Sequence, residues 1–205
     1  TANKIYDEMT DFAKYAFNKS HAAAYAVVSY QTAWLKYYYP VEYMAALMTS
    51  VIDNPGKVAE YIYSCRQMGI KILPPDINHG YSSFSVDNGS IRYGLAAIKS
   101  IGRPVIKEIV AERKANGEFK NLKDFIERMS GKDINKRTIE NFIKSGAFDE
   151  LGGTRKQFMV IYVQILDQVN REKKNSMTGQ MSLFDIVGEE QKSEFDIPLP
   201  NVGEY

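Results

Sequence analysis

The 205 residues, 44% of them hydrophobic, are enough for one substantial core or two modest ones without disulfides or metal staples. A single cysteine, Cys65, excludes an intrachain disulfide, and the opening ten residues lack the charged, apolar and small-residue regions of a signal peptide, so a reducing cytoplasm is expected. The net charge of +1 hides an uneven distribution: Lys99 to Lys144 carries twelve basic against seven acidic residues, and Asp185 to Tyr205 one lysine against six acids. The middle is either an ordinary solvated face or a surface for phosphate, whereas the tail repels phosphate.

In chain order, Tyr6, Met9, Ala13, Ala16 and Phe17 recur three or four residues apart, as on the buried face of a first helix. Asn18-Lys19-Ser20 is a polar break, and the apolar run Ala22 to Tyr39 predicts a second helix buried on most sides. Pro40 opens a third over Val41 to Val51, and Asp53 to Gly56 is a turn. Gln31, Lys36, Glu42 and Thr49 interrupt these runs, so no membrane span is expected. A fourth helix, Lys57 to Met68, stops at Gly69. Ile70 to Leu73 reads as a strand ended by Pro74-Pro75. Ser83 to Val86 and Ser90 to Tyr93 then alternate around Asp87-Asn88-Gly89, a hairpin signal. From Gly94 helices return, and the last, Arg155 to Lys174, places Phe158, Ile161, Tyr162, Ile165, Leu166 and Val169 on one side. Beyond Lys174 periodicity disappears, and a mobile linker is expected.

Leu95 to Ile106 has the form of an apolar helix, a hairpin pinned by Gly102, and a second helix. A glycine there admits a phosphate, and free N–H groups at the hairpin and helix start bind it. Lys99, Arg103 and Lys107 add charge, and Ser100 stands where many such hairpins have a first glycine. The competing interpretation is a plain turn in a helical bundle. Ile139 to Phe148 repeats the form around Lys144, Ser145 and Gly146, preceded by Asn135, Lys136 and Arg137. Phosphate contacts of this kind carry no base information.

In the unperiodic tail, Gln180, Leu183 and Phe184 form an apolar docking peptide or fold back on the last helix. Asn18, Lys19 and His21 surround a helix start, where nucleotide phosphates are favoured, although Ser20 also serves as a plain cap. Two histidines and one cysteine give no zinc set, and no P-loop occurs. Asp7 and Asp11 share a helix face but suit solvation better than two-metal chemistry.

Read together, Phe17 to Tyr25, Val28 to Lys36, Tyr39 to Leu47, Cys65 to Gly69 and Leu73 to Asn78 resemble the fingers of the bacterial DNA polymerase III alpha subunit family, the C-family replicative polymerases. Tyr93 to Lys99 and Asn135 to Asp149 resemble its tandem helix-hairpin-helix region, and Gln180 to Phe184 its sliding-clamp peptide. The resemblance implies a mainly α fold: a helical fingers part with a small β-hairpin over 1–93, tandem helix-hairpin-helix over 94–174, and a disordered or extended acidic tail over 175–205. It implies a DNA-directed DNA polymerase as the parent protein, with duplex primer-template, deoxynucleoside triphosphate, the sliding clamp and other replicase subunits as partners. It assigns Asn18, Lys19 and His21 to the nucleotide side and Gln180, Leu183 and Phe184 to the clamp. Lys99, Ser100, Gly102, Arg103, Lys107, Lys136, Arg137, Lys144, Ser145 and Gly146 fall to DNA. The family's palm aspartates, which hold two magnesium ions, have no counterpart here, so no cofactor and no catalysis are expected of this piece alone. A helix-hairpin-helix repair enzyme is the alternative, but Arg103 and Pro104 follow Gly102 where a glycosylase needs its catalytic Lys or Asp nearby. A protein-binding scaffold presenting Tyr37, Tyr38 and Tyr39 is the other.

Overall fold

Helix formers dominate the first fifty positions, and the computed structural model, which describes residues 2–14, 19–132, 134–177 and 198–202, has helices there. α1 is Ala2–Lys14, α2 Lys19–Tyr38 and α3 Pro40–Ser50. The chain divides into two units, Thr1–Tyr43 and Met44–Tyr205.

In the first unit the predicted helices form but the predicted burial does not. Tyr6 and Met9 are 71% and 65% exposed, and α2 has no buried residue. A helix buries its apolar side only against another packed element, and here the rings meet chiefly their own neighbours: Trp34 and Tyr38 lie 4.8 Å apart, His21 and Tyr25 4.3 Å. Ala16 and Phe17 lie outside the described residues.

The second unit holds the core. α4, Pro55–Gln67, starts at Asn54, whose side chain accepts from Lys57 N–H. It buries Val58 and Cys65, and burial pushes the Cys65 thiol pKa up. The strands are β1 (Ile72–Leu73), β2 (Ser85–Asp87) and β3 (Ser90–Arg92), in the order β1-β3-β2. β2 and β3 make the expected hairpin, with Asn88 and Gly89 at φ 48° and 75° in the turn. β1 adds a parallel pairing, Ile72 opposite Ile91. Four further helices follow: α5 (Arg103–Asn116), α6 (Leu122–Met129), α7 (Lys136–Ser145) and α8 (Arg155–Met177). The helix expected over Leu95 to Ile98 is instead a single 3-10 turn, Leu95–Ala97. Gly94 is wedged against the Ser82–Phe84 backbone and Ser100 turns left-handed, so too few residues remain for an α-turn.

Phe119, Phe125, Phe142 and Phe148 are the aromatic centre of this unit. Their rings pack edge-on or tilted, with Phe125 5.0 Å from Phe119 and 4.9 Å from Phe148. α8 buries all six of its predicted apolar residues against them and their neighbours. Pro198–Val202, within the expected linker, forms no helix or strand; Pro200 C=O accepts from Gln157 Nε2 at 3.1 Å, and the exposed Leu199 lines a hollow with Leu151 and Phe158. This fold is mainly α with a small sheet, as the sequence implies.

The α5–α6 corner is polar and closed. Glu112 accepts from Lys132, Asn116 and Arg128, while the Arg128 guanidinium also reaches Gly117 C=O at 2.8 Å and lies over the Phe119 ring. The Lys132 ammonium first, then Asn116 and Arg128, hold the Glu112 carboxyl down to about 2 from an ordinary 4.5. A depressed carboxyl contributes stability that is complete above 4.5 and is lost as pH falls toward about 2. Glu112→Gln is therefore expected to be less stable than wild type at neutral pH, with the gap closing as acid is added. Urea midpoints measured down to pH about 2 check this.

Candidate nucleic-acid interface

The first hairpin is built from its flanks inward. Leu95 N–H donates to Tyr81 C=O at 2.8 Å and Ala96 N–H to Ser82 C=O at 3.1 Å, so the 3-10 turn is tied to the Tyr81–Ser83 segment. A Cβ on Gly94 would lie 2.8–2.9 Å from the Ser82–Phe84 backbone, which explains the glycine. Ile98 and Ile101 point into the core, leaving Lys99 and Ser100 outside. Ser100 has φ 64°, a conformation that costs an L-residue roughly 1–2 kcal/mol. It thus fills the glycine position of the hairpin without being one.

Two side chains of α7 hold that geometry. Arg137 Nη2 donates to Ser100 Oγ at 3.1 Å, and Asn141 Nδ2 donates to Lys99 C=O at 3.1 Å. The predicted residues Lys99, Ser100 and Arg137 are thereby brought together. Asn141 is the one the sequence reasoning missed, although its place one helical turn after Arg137 is a signal that could have found it.

Gly102 caps α5 in extended conformation, φ −77° and ψ 141°, with no side chain bonded to the first turn. By contrast α4, α6 and α7 are each capped by an asparagine, Asn54, Asn121 and Asn135. The positive end of α5 thus points outward beside Lys99 and Arg103, an arrangement able to take an anion. Arg103 is 60% exposed and 3.5 Å from the still more accessible Asp53, an ion pair that solvent makes weak. Lys107 follows one turn on, exposed.

The second hairpin is different. Gly146 is buried as the left-handed cap of α7, φ 85°, and its N–H donates to Ile143 C=O. Ser145 Oγ donates to Phe142 C=O, and the Lys144 ammonium pairs with Glu140. Arg155 closes over this cap, its guanidinium donating to both Asp149 oxygens, and the Asp149 carboxylate raises the Arg155 pKa. α8 begins with a reciprocal pair: Thr154 N–H donates to Gln157 Oε1, and Gln157 N–H to Thr154 Oγ1. Lys144 presents charge at the surface, while the polar groups of Ser145 and Gly146 serve the turn itself. Lys136, also exposed, pairs with Asp167 at 3.1 Å.

Lys19 and His21 sit exposed in the first turn of α2. Asn18, Gln180, Leu183 and Phe184 lie outside the described residues. Among the described residues no group of three or more His, Cys, Asp or Glu could hold a metal ion, and no helix is long and apolar enough to cross a membrane. Asp7 and Asp11 are both exposed on α1.

A family model described as a helix-hairpin-helix motif matches residues 69–158, so the hairpin geometry and the match define the same class of module. The wider similarity is to proteins named DNA polymerase III subunit alpha. The chain is 46% identical to that of Escherichia coli (strain K12) over 190 residues, 92% of this chain and 16% of the relative. It is 46% identical to that of Vibrio cholerae over 187 residues, 91% of this chain and 16% of the relative. For Mycobacterium tuberculosis the identity is 43% over 180 residues, 88% of this chain and 15% of the relative. The chain therefore spans about one-sixth of the length of these curated relatives and is homologous to one segment of their alpha subunits.

At the second hairpin, a Cβ on Gly146 would run into the Arg155 guanidinium in a backbone conformation that side chains rarely adopt. Gly146→Ala is expected to cost about 1–2 kcal/mol, from strain and from loosening of the Arg155–Asp149 pair, read as a lower urea midpoint with unchanged slope.

Proposed function

We propose that this chain is the part of a bacterial replicative DNA polymerase alpha subunit that holds primer-template duplex without reading its bases and tethers the enzyme to a sliding clamp. The observation that carries this reading is the first hairpin. A left-handed Ser100, the open N-terminus of α5 and the cations Lys99, Arg103 and Lys107 converge on one outward surface. Phosphate is what such a surface binds, and phosphate is common to every sequence. Lys136, Arg137 and Lys144 extend it along α7.

On this reading Asn18, Lys19 and His21 serve the incoming deoxynucleoside triphosphate in the fingers. Gln180, Leu183 and Phe184 dock in the clamp, with the last two as apolar anchors, and other replicase subunits complete the assembly in the cytoplasm. Two weak contacts on one chain raise each other's effective concentration, so the parent enzyme stays on its template through many additions. The whole protein is a DNA-directed DNA polymerase, a nucleotidyltransferase. Its two magnesium ions belong to palm aspartates that no residue here matches, and the exposed Asp7 and Asp11 do not form such a site. This chain alone then polymerises nothing.

Two measurements test the assignment. Replacing Lys99 and Arg103 by alanine is expected to weaken duplex binding and to reduce the slope of log affinity against log salt by up to about 1.8; an unchanged slope contradicts the grip. Leu183→Ala with Phe184→Ala is expected to abolish binding to purified clamp at unaltered duplex affinity, and clamp binding equal to wild type refutes the tether.

A further inference from the structure

Beside the hairpin, a hollow of about 430 Å³ opens between the Tyr81–Ser83 segment and α5. Its floor is the apolar side of Val110 and Ala111, and its rim carries Lys107 and Lys114. Tyr81 lines one wall with 44% of its surface exposed, and the Arg113 guanidinium and the Lys114 ammonium lie over its ring, 4.9 and 6.0 Å from the ring centre. The wall is rigid because the backbone bonds of Leu95 and Ala96 and the close fit of Gly94 fasten it.

The charges around the hollow have one sign. At 3.6 residues per turn, Arg103, Lys107 and Lys114 fall within about 40° of each other, a basic line running from the hairpin along α5 into the hollow. Glu108 and Glu112 point about 100° or more away from Lys107, and Glu112 is held by Lys132, Asn116 and Arg128. Lys107 and Lys114 stand about 10.5 Å apart along the helix, at the two ends of an aromatic and apolar slot. A partly exposed ring with cations beside it, continuous with a phosphate-binding surface, has the chemistry of a stacking platform for an unpaired base.

We infer that this slot binds an unpaired nucleotide of single-stranded DNA, with the base against Tyr81 and the adjoining phosphates on Lys107 and Lys114. The inference rests on the reading that this side of the molecule meets DNA, and it adds a second kind of contact there: the hairpin takes duplex backbone and the slot takes a base that has left the duplex. An acidic peptide with an aromatic anchor is the competing occupant, and the smooth continuation of the cationic line from the hairpin favours the nucleotide.

The test uses the full chain with a fluorescently labelled oligo-thymidine strand and, separately, a labelled blunt duplex. Tyr81→Ala is expected to weaken oligo-thymidine binding about tenfold and blunt-duplex binding less than twofold, with Tyr81→Phe close to wild type because the stacking face is kept. Ala111→Glu, at an exposed position on the slot floor, places a negative charge beside Lys107 and Lys114 without disturbing the core, and is expected to weaken the single strand alone. Wild-type binding of oligo-thymidine by both Tyr81→Ala and Ala111→Glu overturns the slot while leaving the duplex grip standing. Failure of wild type to bind either DNA overturns both. Displacement by an acidic aromatic peptide, with no response of oligo-thymidine to Tyr81→Ala, assigns the slot to protein and also overturns the inference.

Discussion

The arrangement depends on one loop, Asp76 to His79, with Asp76 and Ile77 buried, which satisfies backbone groups of several elements at once. Asp76 is 3% exposed, and its Oδ1 accepts from the Asn78 and His79 N–H groups at 2.7 Å each. Asn78 then pairs both ways with Phe119, donating to its C=O and accepting from its N–H, each at 2.9 Å. Ile77 N–H donates to Ala147 C=O just after α7, and Ile77 C=O accepts from Arg113 on α5 at 2.7 Å. A buried carboxylate or an unpaired peptide group is costly inside a core, so these partners cannot separate independently. α5, the Phe119 segment and the end of α7 are fixed by the same few bonds. The hairpin and the slot beside it therefore sit on a rigid base, as sites that bind by geometry need to.

That rigidity matters because the hairpin contains a strained residue. Ser100 adopts a conformation that glycine adopts freely, and it is kept there by Arg137 and Asn141 from α7. A cation that reads along the chain as free for phosphate thus has a structural duty as well. Lys99 and Lys107 carry no such bond and stand clear at the surface, whereas Arg103 has only an exposed partner in Asp53. The two hairpins are consequently unequal: the first presents its helix start outward, and the second uses its serine and glycine to close its own turn.

Local chemistry made much of this legible. Asn88-Gly89 predicts its turn, Thr154 the start of α8, and the spacing from Phe158 to Val169 the buried side of that helix, because each is decided within a few residues. Burial of α1 and α2 was not legible. Their apolar spacing marks a face but cannot say whether anything covers it, and Tyr6, Met9, Tyr25 and Trp34 remain exposed in a chain homologous to one-sixth of a longer protein. The parallel β1–β3 pairing and the Asn78–Phe119 bond escaped for another reason: their partners are separated by 19 and 41 residues, and no short window contains both. At the candidate site the charges and the glycines were visible, and the asparagine that braces the hairpin was not.

The proposed grip on DNA works through phosphate alone. Its most direct test is titration of the chain with two blunt duplexes of unrelated sequence over a series of salt concentrations. Equal affinities are expected for the two, falling together on straight lines of log affinity against log salt, with a slope of about −3 if Lys99, Arg103 and Lys107 each release a counterion. A marked preference for one sequence, or binding that salt leaves unchanged, would contradict it.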